Sequence, residues 1–330
     1  MTYREFWETL SSEYELNEAK AITRLVFEKA LGLSLVQIYS DSAIDIISHN
    51  EHLLQDILKR LLQREPVQYV LGKADFFGRE FAVSQGVLIP RPETEELIKQ
   101  LILTLTADSD TDSQMVQSSR FKVQSLTLNH QPSTINPQPL SILDCCTGSG
   151  CIAITLSLEL EKVQVSAFDI SEKALTIARK NAKLHNAKVN FFHADALNLN
   201  PQPAIVQNHS EPFRTLNLFN LIISNPPYVC EAERADMQAH VLNYEPTEAL
   251  FVPDNNPLLF YNAISDFSLT HLHKGGILCF EINPNFAQQI ADSLAEKGFS
   301  EIKIKKDQFG KNRFIFAKKC LGESLNLLKE

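Results

Sequence analysis

The chain has 330 residues, of which 44% are apolar and 22% charged, and its formal charge is −9. That usage is globular. It excludes globally disordered, collagen-like and disulfide-scaffold chains, and the length makes two domains the expectation. An acidic chain is also a poor non-specific binder of nucleic acid or of an anionic membrane surface, because phosphate contact needs clustered Lys and Arg. Met1–Leu10 carries Arg4, Glu5 and Glu8 and has no apolar core, so no secretory signal is expected. No uncharged apolar stretch approaches the roughly 18 residues of a membrane span. None of the six cysteines forms a C-x-x-C pair, so no structural zinc is expected, and free thiols point to the cytoplasm.

In chain order, Tyr3–Leu10, Asn17–Leu31 and Ala43–Leu62 repeat apolar residues at helical spacing. Asp41 or Ser42 is placed to cap the third helix. These helices predict a small bundle with a net charge of −4 over residues 1–72. Glu65–Gly72 follows, then Phe76–Phe81 reads as two short strands around a Gly turn. Pro90-Arg91-Pro92-Glu93-Thr94-Glu95 opens a helix, with proline early and acids in the first turn. Residues 107–139 are rich in Ser, Thr, Asp, Gln, Asn and Pro and read as a mobile insertion. A shorter polar break spans residues 198–217. From Leu140 strands alternate with helices. Strands are expected at 140–145, 163–168, 189–193, 218–224 and 277–282, and helices at 151–160, 172–185, 258–272 and 286–297. This predicts an α/β sheet with helices on both faces. The chain ends in an antiparallel hairpin of 301–306 with 312–318. That ending departs from strict alternation.

Four features carry chemistry. Asp144-Cys145-Cys146-Thr147-Gly148-Ser149-Gly150 turns from an apolar strand into a helix, where glycines let a ligand approach backbone N–H groups. Gly148-x-Gly150-x-x-Ala153 also fits the relaxed dinucleotide fingerprint. Asp169 ends the next strand, 19 residues past Gly150. It can accept both ribose hydroxyls or cap the helix that follows. Asp195, after the third strand, is placed to meet an adenine amino group or simply to close a turn. Finally, the strand 221–224 runs directly into Asn225-Pro226-Pro227-Tyr228. Two prolines stiffen this turn and leave its carbonyls as acceptors. The Asn225 amide oxygen and the Pro226 carbonyl could accept the two hydrogens of a planar –NH2 group, with the Tyr228 ring stacked on it. Such a nitrogen is a feeble nucleophile, so positioning and polarisation are what a site must supply.

The run from Pro90–Glu95 through Asp144–Gly150 to Asn225–Tyr228 resembles the peptide chain release factor glutamine N5-methyltransferases. The resemblance covers nearly the whole chain, including Gln68-Tyr69-Val70-Leu71-Gly72 and Phe280-Glu281-Ile282. It implies a Rossmann-like class I methyltransferase sheet with a small N-terminal helical domain. Residues 1–72 would dock the substrate, 73–92 form a hairpin linker and 93–330 the methyltransferase domain. The implied cofactor is S-adenosylmethionine, and the implied substrate is the glutamine of the release factor's Gly-Gly-Gln motif. Cys146, Thr147, Gly148, Ser149 and Gly150 would hold the methionine part of the cofactor and Asp169 its ribose. Asp195 and Ala196 would flank its adenine. Asn225, Pro226, Pro227 and Tyr228 would hold the glutamine, with Asn225 also close to the cofactor. Asn225, Pro226 and Tyr228 would be catalytic, with no covalent enzyme intermediate. Three positions depart from the family pattern. Cys146 stands where the loop usually has its first glycine, and a Cβ there is expected to be tolerable only with a negative φ and a thiol turned away from the cofactor. Asn283 replaces a usual glycine. Ala196 is small where some relatives carry a large side chain.

Other readings share these motifs. Asn-Pro-Pro-Tyr also occurs in adenine N6-methyltransferases and in a ribosomal-protein glutamine methyltransferase. Acidity and the lack of a DNA-reading module oppose a nucleic-acid substrate, although residues 299–319 carry a local +5. A nicotinamide-dependent dehydrogenase explains the glycines and Asp169 but not Asn225–Tyr228. A catalytically dead binding module would keep the fold alone.

Overall fold

The computed structural model describes residues 1–40, 44–106, 139–199 and 218–320. The 107–138 tract, residues 200–217 of the second polar break and the cap at Asp41 or Ser42 lie outside the described residues. In chain order the elements are α1 (Tyr3–Leu10), α2 (Leu16–Leu31), α3 (Leu35–Ile38), α4 (Ile44–His49), α5 (Glu51–Leu62), α6 (Val67–Leu71), β1 (Lys73–Phe76), β2 (Arg79–Ala82) and α7 (Pro92–Thr106). Then come β3 (Leu140–Cys145), α8 (Cys151–Glu159), β4 (Val163–Asp169), α9 (Glu172–Leu184), β5 (Val189–His193), β6 (Phe219–Ser224), β7 (Val229–Cys230), α10 (Ala239–Tyr244) and β8 (Phe251–Val252). The last are α11 (Leu259–His271), β9 (Leu272–Glu281), α12 (Ala287–Glu296), β10 (Phe299–Lys306) and β11 (Asn312–Lys319).

Two compact units form. The first holds residues 1–74, 82–89 and 236–246, and the division runs through the β1–β2 hairpin. Its helices bury Phe6, Leu10, Val26, Phe27, Leu54, Ile57 and Leu61 in one core. Thr2 and Glu5 form a capping box that starts α1. The third predicted helix is two. Asn50 donates its side-chain amide to the Ile46 carbonyl at 2.8 Å, which closes α4 and lets α5 begin anew. Sequence spacing also missed α6. Its last turn is held by Arg60, which donates to the Tyr69 and Val70 carbonyls and pairs bidentately with Glu65. Gly72, at φ 69°, then ends the helix in the left-handed region that glycine adopts without strain.

The second unit is built on a seven-stranded sheet of order β10-β11-β9-β6-β3-β4-β5. β3, β4, β5, β6 and β9 run parallel, while β11 inserts antiparallel between β9 and β10. Helices α7 and α8 pack on one face, with Leu97, Leu101, Ile152 and Ile154 in its core. On the other face α11 and α12 bury Ile264, Phe267, Ile290 and Leu294. This is the expected doubly wound α/β fold with an antiparallel end. The chain reverses direction of travel between β3 and β6, and the carboxyl ends of strands at such a switch point form a ligand crevice. β9 is longer than predicted because it begins at Leu272, ahead of Gly275 and Gly276. No helix among the described residues is long and apolar enough to cross a membrane. All six cysteines are free.

Candidate active site

At the carboxyl end of β3 the chain must turn sharply into α8. It does so with Cys146 at φ 61°, Gly148 at φ 56° and Gly150 at φ 81°. The loop is tied from behind. Thr147 N–H donates to the Phe168 carbonyl at 3.0 Å, and the buried Asn181 side chain donates to the Ser149 carbonyl at 2.9 Å. Asp169 holds its front, accepting from Gly148 N–H at 2.8 Å and from Ser171 N–H at 2.9 Å. The cap of α9 is Ser171, whose hydroxyl accepts from Ala174 N–H, so Asp169 is not the helix cap. Burial pushes the Asp169 carboxyl up, against the pull of the backbone donors at Ser171 and Gly148. Beneath the loop Asp144 is fully buried. Its Oδ2 accepts from the Thr147 hydroxyl at 2.6 Å, while Oδ1 meets no donor in bonding geometry among the described residues. Burial raises this carboxyl from 3.8 to about 7, opposed by Thr147 and the Ala153 N–H. Asp195 accepts from Leu197 N–H and from the Asn198 side chain, which closes a short turn. Ala196 is buried in the core on the α11 side.

A second cluster forms where β6 runs out. Pro226 and Pro227 are buried, and Asn225 and Tyr228 are half-buried. The Asn225 side-chain N–H donates to the Thr94 hydroxyl at 3.1 Å. That hydroxyl donates to Glu281 Oε2 at 2.7 Å. The Tyr228 hydroxyl donates to Glu281 Oε1 at 3.0 Å. Thr94 and Glu281 are only 2% and 1% exposed, so this chain of bonds is shielded from competing water. Burial pushes the Glu281 carboxyl up, against its two hydroxyl donors. Burial and the neighbouring Glu281 push the Tyr228 phenol up, so it stays protonated. The backbone is pinned as well. Asn283 donates to the Tyr228 carbonyl at 3.1 Å and to Glu233 Oε2 at 2.8 Å, and Glu233 also accepts from Cys230 N–H. No described residue donates to Asn225 Oδ1 or to the Pro226 carbonyl. The cluster can therefore offer two acceptors to an –NH2 group.

Comparison with known proteins places this geometry. A family described as "PrmC N-terminal domain" matches residues 3–72, and "Methyltransferase small domain" matches residues 117–250. A release factor glutamine methyltransferase of Bacteroides thetaiotaomicron is 36% identical over 310 residues, covering 94% of this chain and 96% of the relative. One from Flavobacterium psychrophilum is 34% identical, covering 94% and 95% of the two chains. Another, from Chlorobaculum tepidum, is 34% identical with 90% and 89% covered. The chain belongs to the release factor glutamine methyltransferase family.

As a methyltransferase of this family it takes its methyl group from S-adenosylmethionine, and the loop suits that ligand. The unpartnered Asp144 oxygen is a buried acceptor, and Asp169 and Asp195 add carboxylates along the same strand ends. Such a set matches a ligand rich in donors and positive charge, and opposes the pyrophosphate of a dinucleotide. A Cβ built on Gly148 meets nothing within 4 Å, so the front of the loop is open. Cys146 corrects an expectation. Its φ is positive, a conformation that carries strain for a residue with a Cβ. Burial raises its thiol pKa well above the ordinary value, against the pull of the Ser224 side chain, so the thiol is held protonated. Thr94, Glu281, Glu233 and Asn283 were not singled out as site residues from the sequence. The signal for Glu281 was a lone carboxylate inside an apolar strand, which must be buried with partners.

Two expectations follow from this loop. A Cβ on Gly150 would lie 3.0 Å from both Ala178 Cβ and Ile154 Cδ1, at a φ of 81°. Gly150→Ala is therefore expected to destabilise the fold by about 2–4 kcal/mol, the sum of left-handed strain and overpacking, read by denaturant unfolding. For Asp144 the sign runs the other way from a salt-bridged acid. Its folded pKa of about 7 lies above the unfolded 3.8, so its contribution is present below about pH 4 and lost as pH rises through about 7. Asp144→Asn keeps an acceptor for Thr147 and removes that loss. Denaturation midpoints of both proteins from about pH 4 to about pH 8 should converge at the acid end and separate in favour of the variant at the alkaline end.

Proposed function

We propose that this enzyme methylates the side-chain amide nitrogen (N5) of the glutamine in the Gly-Gly-Gln motif of peptide chain release factors. The observation that carries the reading is the polarity of the Asn225 amide. Its N–H end is tied to Thr94, which leaves Oδ1 as an acceptor, and the carbonyl of the next residue, Pro226, meets no donor among the described residues. Two acceptors meet the two hydrogens of a primary amide, orient its nitrogen and raise its electron density. S-adenosylmethionine, when bound, supplies an electrophilic methyl carbon on its sulfonium. Cys146, Thr147, Gly148, Ser149 and Gly150 cradle its methionine part, Asp169 accepts from its ribose, and Asp195 with Ala196 borders its adenine. Pro227 keeps the turn rigid, and Tyr228 offers a ring face to the planar amide. Residues 1–72 dock the release factor, 73–92 link, and 93–330 carry the chemistry.

A protein substrate also fits the charge distribution. In the basic β10–β11 hairpin, Lys305 lies over the Phe316 ring and Arg313 pairs with Asp307. Lys318 pairs with Glu301, and Lys319 donates to the Leu272 carbonyl. These four cations are engaged within the protein, which weakens a phosphate-binding role for them. The free thiols accord with a cytoplasmic location. The test is incubation of purified enzyme with release factor and labelled methyl donor, followed by peptide mapping. Label on the Gly-Gly-Gln glutamine is expected. Its absence from an enzyme that binds the cofactor would sink the reading.

A further inference from the structure

We propose that Thr94 and Glu281 are positioning residues that fix which end of the Asn225 amide faces the substrate. The inference rests on the amide-methylating reading of the site and adds the device that makes it work.

The donors and acceptors around Thr94 allow only one arrangement. The Glu281 carboxyl accepts from both hydroxyls that meet it, Thr94 at Oε2 and Tyr228 at Oε1. The Thr94 hydroxyl has a single hydrogen, and at 2.7 Å from Glu281 Oε2 that hydrogen is committed. What Thr94 turns towards Asn225, 3.1 Å away, is then a lone pair. A lone pair selects the NH2 end of an amide and rejects the carbonyl end. Asn225 Oδ1 is thereby directed away from Thr94, towards the space where the substrate –NH2 must sit. Reversed, the side chain would present donors to donors, and the site would repel the group it has to hold.

Burial makes the selection strong. Thr94 and Glu281 are nearly inaccessible, so water cannot supply a substitute acceptor or donor. Glu281 Oε1 takes the Tyr228 hydroxyl in the same way, so one carboxylate governs both polar side chains of the Asn-Pro-Pro-Tyr turn. The two residues come from distant parts of the chain. Thr94 lies in the first turn of α7 and Glu281 at the end of β9, and only the fold brings them together.

The test compares Thr94→Val, which keeps the shape and removes the hydroxyl, with Thr94→Ser, which restores it. Measurements are kcat and KM with release factor, cofactor Kd, and the thermal midpoint, with kcat normalised to cofactor-binding protein. T94V is expected to lower kcat about ten- to a hundredfold, the scale of one oriented hydrogen bond, with cofactor Kd unchanged. T94S is expected to return to within about threefold of the wild type, because its hydroxyl can make both bonds. Glu281→Leu should cost at least as much as T94V, and the double variant no more than the worse single, since both act through Asn225. If E281L does not fold, the Val and Ser pair carries the test. A substrate-independent readout is the Asn225 side-chain amide resonance of Asn-labelled protein, assigned by its loss in Asn225→Ala. It should shift in T94V and return in T94S. A wild-type kcat in T94V, a T94S no better than T94V, or an amide resonance indifferent to Thr94 overturns the proposal. A wild-type enzyme inactive on release factor overturns the substrate reading instead, and the resonance still decides the lock.

Discussion

Asn225→Ala is expected to lower kcat on release factor by about a thousandfold while leaving cofactor Kd within about threefold. The substitution takes away Oδ1, one of two acceptors available to the substrate amide, at a point where the reacting nitrogen needs both orientation and electron density. Preorganised groups of this kind contribute most in the transition state, so the loss falls on kcat more than on KM. The fold should tolerate the change. Thr94 loses one donor but still donates to Glu281, so the cost in stability is about 1 kcal/mol. Single-turnover methylation with saturating cofactor, set beside a cofactor titration, separates the two effects. Equal losses of cofactor affinity and rate would show that Asn225 serves the cofactor rather than the amide.

Much of this site was readable in the sequence because strand ends announce it. Asp144, Asp169 and Asn225 each close an apolar run, and in a parallel sheet those ends share one edge. The α/β sheet follows from the alternation of elements, and the antiparallel finish from the two short runs around Gly310. What stayed hidden depended on contacts between distant segments. Thr94 reads as an ordinary first-turn residue until α7 is set against β9. Glu281 reads as an anomaly in an apolar strand until two hydroxyls reach it. Asn283, noted only as a departure from glycine, proves to bridge the Tyr228 carbonyl and Glu233. Local rules misled in two places. Helical spacing ran across Asn50, where a side-chain bond to the Ile46 carbonyl breaks the ladder. A Cβ argued for negative φ at Cys146, where the turn into α8 imposes 61°. At Asn50 a local side-chain bond competes with the helical ladder, and at Cys146 the geometry of the turn outweighs a preference of about 1–2 kcal/mol.

Asp169→Asn should raise the cofactor Kd on the order of a hundredfold while shifting thermal stability far less. The side chain already accepts from Gly148 N–H through Oδ2 and from Ser171 N–H through Oδ1, and it is assigned the ribose hydroxyls in addition. A carboxylate can serve all of these because both oxygens accept more than one hydrogen. An amide cannot. Whichever way it turns, its NH2 end faces a backbone N–H, and one end of the ribose contact is lost. Should it turn against Gly148, the loop that cradles the methionine part also loses its front tether. The stability cost is smaller because the wild-type charge is itself unfavourable in the fold. Burial holds the Asp169 pKa above its unfolded value, so ionisation costs folding free energy as pH rises out of the acid range, and the neutral amide escapes that cost. Calorimetric titration of cofactor and a thermal melt at neutral pH give the two numbers directly. A large fall in the melt with proportionate loss of binding would make Asp169 a scaffold for the loop. An unchanged Kd would move the ribose to another acceptor, leaving Asp169 only its two backbone bonds.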